Sequence, residues 1–417
     1  MVIPAVMDHS ESQGATSRFT IWIALAAAAL AFLLYIPSLR SGFVYDAEIQ
    51  VLQDGYIHNR VNFFDVLTFR VLGRDVLDRN RPVELLSLMA DSVFFGKKPF
   101  GYHLTNIGIH AVNVSLLFLL LVELLQPSPL RKISPSVCCC IAAFAAALLF
   151  AFHPVSVEPV AEISSRKDML AVFFILISLL LAARWHGLGG WRGAVAFGGC
   201  VLGCLYAVGA KETGVAAPFL LTGYLLLYRR NEPVKRWLPL LAAAFFVTGA
   251  FVIARFALEP RASRIFLHQP EWLGGSPAMA LRIQPEIWAF QIYSIFRPIG
   301  LSVDYQPENV KWIVLPWALV ALAVFLLLQI LLAWKSRAAA FGAVVFWLGL
   351  APVSNPRLIV AVMIDEPSAG DYYGGSIAGP VFSRVMGSAL RLLGVPTDAP
   401  VDNVVLPPPG DDVKEET

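Results

Sequence analysis

Long apolar runs alternate with short polar loops along the first 350 residues of the chain. A helix needs about 20 mostly apolar residues to cross a bilayer, and most of these runs approach or reach that length. The pattern predicts nine spans, near residues 19–39, 102–125, 136–153, 168–185, 192–209, 213–228, 237–257, 312–334 and 338–353. A further apolar segment, 286–303, is interrupted by Arg297 and Pro298. It predicts a re-entrant or interfacial helix, with a true span as the alternative.

The predicted fold class is therefore an all-α polytopic membrane protein with about nine to ten spans. Residues 1–18 precede the first span and are expected in the cytoplasm. Residues 40–101 separate the first two spans and are expected to form an external loop subdomain. Within this loop Pro82 follows Arg81, and an amphipathic pattern begins there, which predicts a helix lying flat on the membrane surface.

Lysine and arginine side chains are concentrated in alternate loops. By the positive-inside rule, loops rich in these residues face the cytoplasm. The residues that mark the cytoplasmic loops are Arg131, Lys132, Arg184, Arg192, Arg229, Arg230, Lys235, Arg236, Lys335 and Arg337. The external side then receives residues 40–101, the 154–167 loop, the Ala210–Glu212 turn and the 258–311 region.

Composition agrees with a membrane protein, since 57% of the 417 residues are hydrophobic and 15% are charged. Soluble domains carry about 25% charged residues. The net charge of +2 comes without any basic run, so nothing indicates nucleic acid as a partner. The five cysteines all lie inside apolar blocks without metal-site spacing, which is typical of small buried apolar residues.

Polar residues occupy one stripe of the second predicted span. His103, Asn106, His110 and Asn113 are spaced by three or four positions, so they share a helix face. Polar groups in a membrane helix face either a neighbouring helix or a wet cavity, because unpaired ones are costly in hydrocarbon. The sequence leaves both alternatives open: interhelical hydrogen bonds, or a substrate cavity.

Charged residues cluster at several points on the predicted external side. One segment carries His153, Glu158, Glu162, Arg166, Lys167 and Asp168. The Lys211–Glu212 pair lies in a turn between two apolar helices, and Arg81 precedes the surface helix. Cations and carboxylates gathered at one interface suit a phosphate headgroup, with a carboxylate available as a base.

The chain resembles a known family through the motifs FVYDAEIQ, NRPVELLSL, GYHLTNIGIHAVN, FHPVSVEPVAEISSRKDMLAVFF, GAKETGVAAP and FRPIGLSVDY. In this order they are similar to transmembrane O-mannosyltransferases with tetratricopeptide repeats and their bacterial relatives, of the GT-C superfamily. The resemblance covers roughly residues 20–355. It implies a polyprenyl-phosphate-linked sugar as donor, a hydroxyl acceptor, and a multi-pass protein of the bacterial inner membrane with periplasmic catalytic loops.

The family places an acidic motif in the first external loop, and the matching positions are Asp46 and Glu48. The family commonly has two adjacent acids, whereas Ala47 separates them in this chain, which leaves open which one is the base. We expect Asp46 to be the base and Glu48 a helper, or a ligand to an optional divalent ion. The expected phosphate-binding residues are Arg81, Arg166, Lys167 and Lys211. The expected polar cavity comprises His103, Asn106, His110, His153, Glu158 and Glu212.

The chain departs from that family after Asn355. The segment NPRLIVAVMIDEPSAGDYYGGSIAGPVFSRVMGSALRLLGVPTDAP resembles the C-terminal end of class B penicillin-binding proteins. It predicts a strand over Arg357–Ile364 and a helix over Gly379–Leu393, within a fragment of residues 356–400. We expect a chimeric graft on a truncated glycosyltransferase-like gene, followed by a disordered acidic tail at 401–417. No working transpeptidase is expected, since SSRK at 164–167 matches S-x-x-K by letters alone.

Two other hypotheses remain beside the glycosyltransferase. A transporter or flippase of a lipid-linked intermediate would use the same polar stripe and phosphate-binding cations but would need no base. An inactive chimeric product is the third.

Overall fold

A computed structural model of the chain describes residues 9–44, 46–125, 137–185, 189–258, 277–298 and 316–350. Side-chain surroundings are described from residue 19 onwards, and not for 277–284, 286, 316–319 and 350. Within these ranges the backbone is helical and contains no β-strand, as an all-α polytopic fold requires. The predicted strand, the predicted helix and the acidic tail beyond Asn355 lie outside the described residues.

Thirteen α-helices follow one another along the described residues. They are α1 His9–Tyr35, α2 Phe63–Leu67, α3 Pro82–Phe95, α4 Pro99–Leu125, α5 Val137–Phe152, α6 Val157–Ala161, α7 Arg166–Trp185, α8 Gly190–Ala210, α9 Ala216–Tyr228, α10 Val234–Ala257, α11 Pro277–Phe296, α12 Pro316–Lys335 and α13 Arg337–Leu350. Single turns connect them: a π-turn at Glu48–Gln53, and 3₁₀ turns at Ile36–Arg40, Tyr56–His58, Arg60–Asn62, Arg70–Gly73, Pro154–Ser156, Ile163–Ser165 and Glu212–Val215.

Every predicted span is helical over its described part, but not all of these helices are long enough to cross a bilayer. Among the described residues, five helices have the length and hydropathy of a span: α1, α4, α7, α8 and α10, some with adjoining turn residues. A sixth is obtained if α5 and the 154–161 segment, bent by 56°, count as one broken span. The prediction for 213–228 is corrected, because α9 covers only 13 residues after the Glu212–Val215 turn.

The interrupted segment predicted at 286–303 begins earlier than expected. Helix α11 starts at Pro277, continues through an internal Pro285, and ends at Phe296. The helix stops two residues before Pro298, as expected where a proline disfavours helical backbone in the residue before it.

Small residues allow close packing among the first spans. Alanines from α1 and α5 surround an apolar face of α4, and this cluster comprises Ala24, Ala27, Ala31, Val114, Phe118, Val122, Ala143, Ala147 and Ala151. Small side chains let helix backbones approach, and close packing supplies much of the association energy inside a bilayer.

The helix predicted after Arg81 is present as α3, which begins at Pro82, and its position on a membrane surface stays a prediction. The 40–101 loop folds over it. Their shared core contains Ala47, Val51, Ile57, Val66, Val71, Leu85, Leu88, Met89, Tyr102 and Ile163. Because these residues come from the loop, α3, α4 and the turn before α7, the loop is packed as part of the protein rather than as an independent domain.

Helices α7 and α8 approach each other closely at Gly203. A methyl group at this position would lie 2.1 Å from the Ser178 hydroxyl and 3.1 Å from the Phe174 carbonyl oxygen. The Ser178 hydroxyl donates a hydrogen bond of 3.0 Å to the Cys200 carbonyl. No larger residue fits between the two helices without displacing this contact.

We expect Gly203→Ala to lower the free energy of unfolding of the purified protein by about 1–3 kcal/mol, because the added methyl group overpacks the α7–α8 contact. Gly198→Ala in the same helix is the control, since its methyl group would meet no atom within 4 Å. It gains the helix propensity of alanine and should be neutral or stabilising. Thermal unfolding of both variants in detergent checks this, and equal midpoints would contradict the packing account.

Candidate functional site

The two carboxylates predicted for catalysis lie on the exposed side of the external loop. Asp46 and Glu48 are exposed, whereas Ala47 between them is completely buried. Neither carboxylate forms a hydrogen bond or ion pair with the described part of the chain. Ala47 therefore packs into the core of the protein, and the carboxylates on either side of it stay exposed.

The loop that carries these acids is tied to the charged end of α3. Gln50 is buried, and its side-chain amide donates a hydrogen bond to the carboxylate of Asp78. The other oxygen of Asp78 accepts from the Arg81 guanidinium at 2.6 Å. Asp78 has φ +52°, a left-handed conformation that aspartate tolerates better than most residues. The backbone turn thus places one carboxylate between Gln50 and Arg81.

Three charged side chains from different elements meet beyond Arg81, and we call them the Arg81–Glu212–Arg255 bridge. One oxygen of Glu212 lies 3.6 Å from Nε of Arg81, and the other lies 3.0 Å from the Arg255 guanidinium. They line a cleft of about 280 Å³ together with residues 75–80. Beside it, Lys211 pairs with Asp168 of α7.

Gly209 explains how the elements of this bridge come so close together. A methyl group there would lie 3.1 Å from Val83, 3.7 Å from Pro82 and 3.8 Å from Phe251. Helices α3, α8 and α10 therefore meet at a residue without a side chain. Arg81 stands directly before α3, Glu212 shortly after α8, and Arg255 in the last turn of α10.

Both members of the Arg81–Glu212 contact stay charged at neutral pH. Burial by itself raises the pKa of Glu212, but Arg81, Arg255 and Lys211 outweigh it, and the resulting pKa lies below the ordinary value. Burial by itself lowers the pKa of Arg81, but Glu212 and Asp78 outweigh it and the pKa is raised. The bridge is thus an ionic contact over the whole physiological pH range.

Arg166 does not have the phosphate-binding position predicted for it. Its side chain is completely buried, and its guanidinium lies 2.6 Å from the Asp91 carboxylate. The remaining donors bind Asn106 at 2.7 Å, Ser87 at 3.0 Å and the Tyr102 carbonyl at 2.9 Å. These four contacts and the complete burial of the side chain assign Arg166 to joining α7 to α3 and α4.

The four polar side chains of the α4 stripe are buried against neighbouring elements. Asn106 donates to the Val160 and Glu162 carbonyls, and Asn113 donates to the Met169 carbonyl. His103 contacts the Gly42 carbonyl at 3.3 Å. His110 is buried edge-on against the Tyr35 ring. Of the two alternatives for this stripe, the contacts favour interhelical packing.

The other residues predicted for the cavity are dispersed. His153 accepts a hydrogen bond from the Val155 amide, and its Nε2 lies 2.9 Å from the Ile295 carbonyl of α11. Glu158 is exposed. Glu212 lines the cleft described above, where it forms the bridge with Arg81 and Arg255. In the described part of the chain, His153 and Glu212 therefore have different partners.

The S-x-x-K letters at 164–167 do not form a nucleophile. Ser164 is buried and its hydroxyl donates to the Glu162 carboxylate. Lys167 is half-buried and makes no ion pair with the described residues. It remains a candidate for phosphate binding.

Glu84 was missed by the sequence analysis. It is completely buried in the first turn of α3, and neither carboxylate oxygen has a hydrogen-bond partner in the described part of the chain. Burial raises the pKa of Glu84 to about 8, against the opposing charges of Lys167 and Arg81. An acid in the first turn of a helix is ordinary in sequence, so no signal distinguished it.

Among the described residues, no three His, Cys, Asp or Glu side chains are grouped so as to hold a metal ion.

Comparison with known proteins finds two kinds of match over different parts of the chain. The chain is 24% identical over 363 residues to "Protein O-mannosyl-transferase F38B6.6" of Caenorhabditis elegans, covering 82% of this chain and 49% of the relative. It is 32% identical over 197 residues to "Protein O-mannosyl-transferase Tmtc1" of Drosophila melanogaster, covering 46% of this chain and 21% of the relative. No solved structure matches the chain.

The second match lies at the C-terminal end. Residues 335–387 match the family model "Penicillin binding protein transpeptidase domain". The chain is also 56% identical over 57 residues to "Probable peptidoglycan D,D-transpeptidase PenA" of Neisseria flavescens, which is 14% of either protein.

The chain is similar to two families. It spans about half or less of the length of each of these three relatives (49%, 21% and 14%). The O-mannosyl-transferase similarity extends over much of the chain and supports a glycosyltransferase, whereas the transpeptidase similarity covers a short part. The transpeptidase match begins before Asn355, and its described portion, α13, packs through Phe341 against Tyr224 and Tyr228 of α9.

We expect Arg166→Met to destabilise the protein by about 3–5 kcal/mol, because Asp91 is left as a buried, uncompensated charge. Arg166→Met/Asp91→Asn should regain much of this stability, since the neutral amide can still accept from Thr105, which now binds Asp91 at 2.7 Å. Thermal unfolding in detergent measures both variants.

The matched control is Arg74→Met, which breaks the more exposed Arg74–Asp65 pair and should change stability by less than about 1 kcal/mol. If Arg166→Met unfolded like the wild type and instead weakened phosphate binding, the structural role assigned to Arg166 would be wrong.

Proposed function

We propose that the chain is an integral membrane glycosyltransferase of the GT-C type. It transfers a sugar from a polyprenyl-phosphate donor to a hydroxyl acceptor on the extracytoplasmic face of a bacterial inner membrane. Sugar transfer is supported by the similarity of the chain to two proteins that are named as O-mannosyl-transferases. The observation that carries the proposal is the pair of unpaired carboxylates, Asp46 and Glu48, on a loop tied through Gln50 and Asp78 to Arg81.

The reaction assigns a separate task to each group. The carboxylate of Asp46 takes the proton of the acceptor hydroxyl, whose oxygen attacks the anomeric carbon of the donor sugar. The bond between that carbon and the phosphate oxygen breaks, and the electron pair leaves on the polyprenyl phosphate. Arg81, Lys211 and Lys167 stabilise the negative charge of the leaving phosphate. Glu48 assists as a second acid beside the acceptor.

Transport of a lipid-linked intermediate is less well supported. That hypothesis used the polar stripe of α4 as a wet path, and the stripe is engaged in contacts between helices. Transfer requires a base, which an unpaired carboxylate supplies, whereas the transport hypothesis requires none. We also propose that the transpeptidase-like segment contributes no catalytic group to this site.

We expect Asp46→Asn to lower the rate of sugar transfer from a mannosyl-phosphoryl-polyprenol donor by about 100-fold or more, the usual effect of removing a general base. Asp65→Asn is the control, because Asp65 is a carboxylate of the same loop that already pairs with Arg74 at 2.8 Å. It should retain activity within about twofold of wild type, since surface pairs contribute little.

The assay measures loss of donor and formation of polyprenyl phosphate in detergent micelles, with hydroxyl-bearing glycans and peptides offered as acceptors. Full activity of Asp46→Asn would remove Asp46 from the mechanism. Equal losses in both variants would indicate damage to the loop rather than to a base.

A further inference from the structure

The Arg81–Glu212–Arg255 bridge is an anion site that already contains an anion. Two guanidinium groups, one from the residue before α3 and one from the last turn of α10, converge on one carboxylate at 3.6 Å and 3.0 Å. Two arginines converging on one negative group is also the arrangement that binds a phosphate. The chain itself supplies the negative group in this bridge, through Glu212.

The bridge is not saturated, because the contact between Glu212 and Arg81 is too long for a hydrogen bond. Nε of Arg81 is buried and has no hydrogen-bond partner in the described part of the chain. A buried donor without a partner is costly, and a ligand oxygen would satisfy it. This unpaired donor belongs to a residue that lines the cleft of about 280 Å³.

Glu212 is the most exposed member of the bridge. Its side chain is 37% exposed, compared with 23% for Arg81 and 25% for Arg255. Arg81 is also held by Asp78, which in turn binds Gln50. Arg81 is therefore the member that a second carboxylate holds in place, and Glu212 is the member most open to solvent.

We propose that Glu212 is an internal competitor that holds Arg81 and Arg255 together and is displaced by the phosphate of a polyprenyl-phosphate donor. Arg255, which the sequence analysis did not single out, becomes a phosphate-binding residue. The choice of a lipid headgroup rests on the proposed function, whereas the competition itself rests on the bridge alone. Without ligand, the carboxylate keeps two partly buried cations paired; with ligand, it moves towards solvent.

The test is calorimetric titration of the 417-residue chain in dodecyl maltoside, a detergent that carries no phosphate. The probes are farnesyl phosphate and inorganic phosphate. Glu212→Gln should bind farnesyl phosphate about tenfold more tightly than wild type, because the competing charge is gone. Arg255→Gln should bind it about tenfold more weakly. Asp65→Asn, which alters an arginine–carboxylate pair outside the cleft, should match wild type.

The double variant Glu212→Gln/Arg255→Gln tests whether the two residues act on one ligand. The gain from removing Glu212 should shrink in the Arg255→Gln background, since contacting residues do not act additively. Glu212→Asp covers the case in which Glu212→Gln does not fold. Its shorter side chain cannot reach both arginines, so it should bind farnesyl phosphate more tightly than wild type.

Unchanged or weaker binding by Glu212→Gln, or by Glu212→Asp where the first variant is unfolded, would overturn the proposal. Equal affinity for inorganic phosphate and farnesyl phosphate would overturn the assignment to a lipid headgroup. If phosphate binding behaves as expected but no sugar is transferred, the competition stands and the proposed enzyme activity fails.

Discussion

The buried ion pair between Arg166 and Asp91 is the constraint on which the packing of α3 and the 40–101 loop depends. Arg166 is the largest completely buried side chain in the described residues, and its donors reach α3, α4 and the Tyr102 backbone. Removing such a charge from water is expensive, so the pair depends on the contacts that its two partners make with their neighbours. These contacts join α3 to α4 and α7.

That fixed helix holds the loop with the two candidate catalytic acids. Ala47, Val51 and Ile57 pack into the same core as Leu85 and Leu88 of α3. The buried Gln50 joins the loop to Asp78 and hence to Arg81. The position of Asp46 is therefore set by packing and by one chain of polar contacts, as a preorganised site requires.

Much of the fold follows from local sequence pattern, because apolar runs must be helical inside a bilayer and Pro82 favours a helix start. The candidate site follows only in part. Arg166 was predicted to bind phosphate because the sequence shows its charge. It does not show that Asp91, which is far away in the sequence, pairs with it in the fold. Arg255 sits near the end of an apolar run, where an arginine is ordinary. The phosphate-binding role proposed for Arg255 depends on the close approach of α3, α8 and α10 at Gly209, which only the tertiary structure reveals.

The chain joins a membrane bundle similar to O-mannosyl-transferases with a C-terminal segment similar to a transpeptidase domain. We propose that the bundle consumes a lipid-linked sugar. The most direct measurement incubates the purified wild-type chain with a radiolabelled mannosyl-phosphoryl-polyprenol and follows donor and polyprenyl phosphate by thin-layer chromatography. We expect protein-dependent conversion of donor to polyprenyl phosphate, with the label passing to a hydroxyl compound or to water. A donor that stays intact at every acceptor and protein concentration, while still binding to the protein, would contradict the claim.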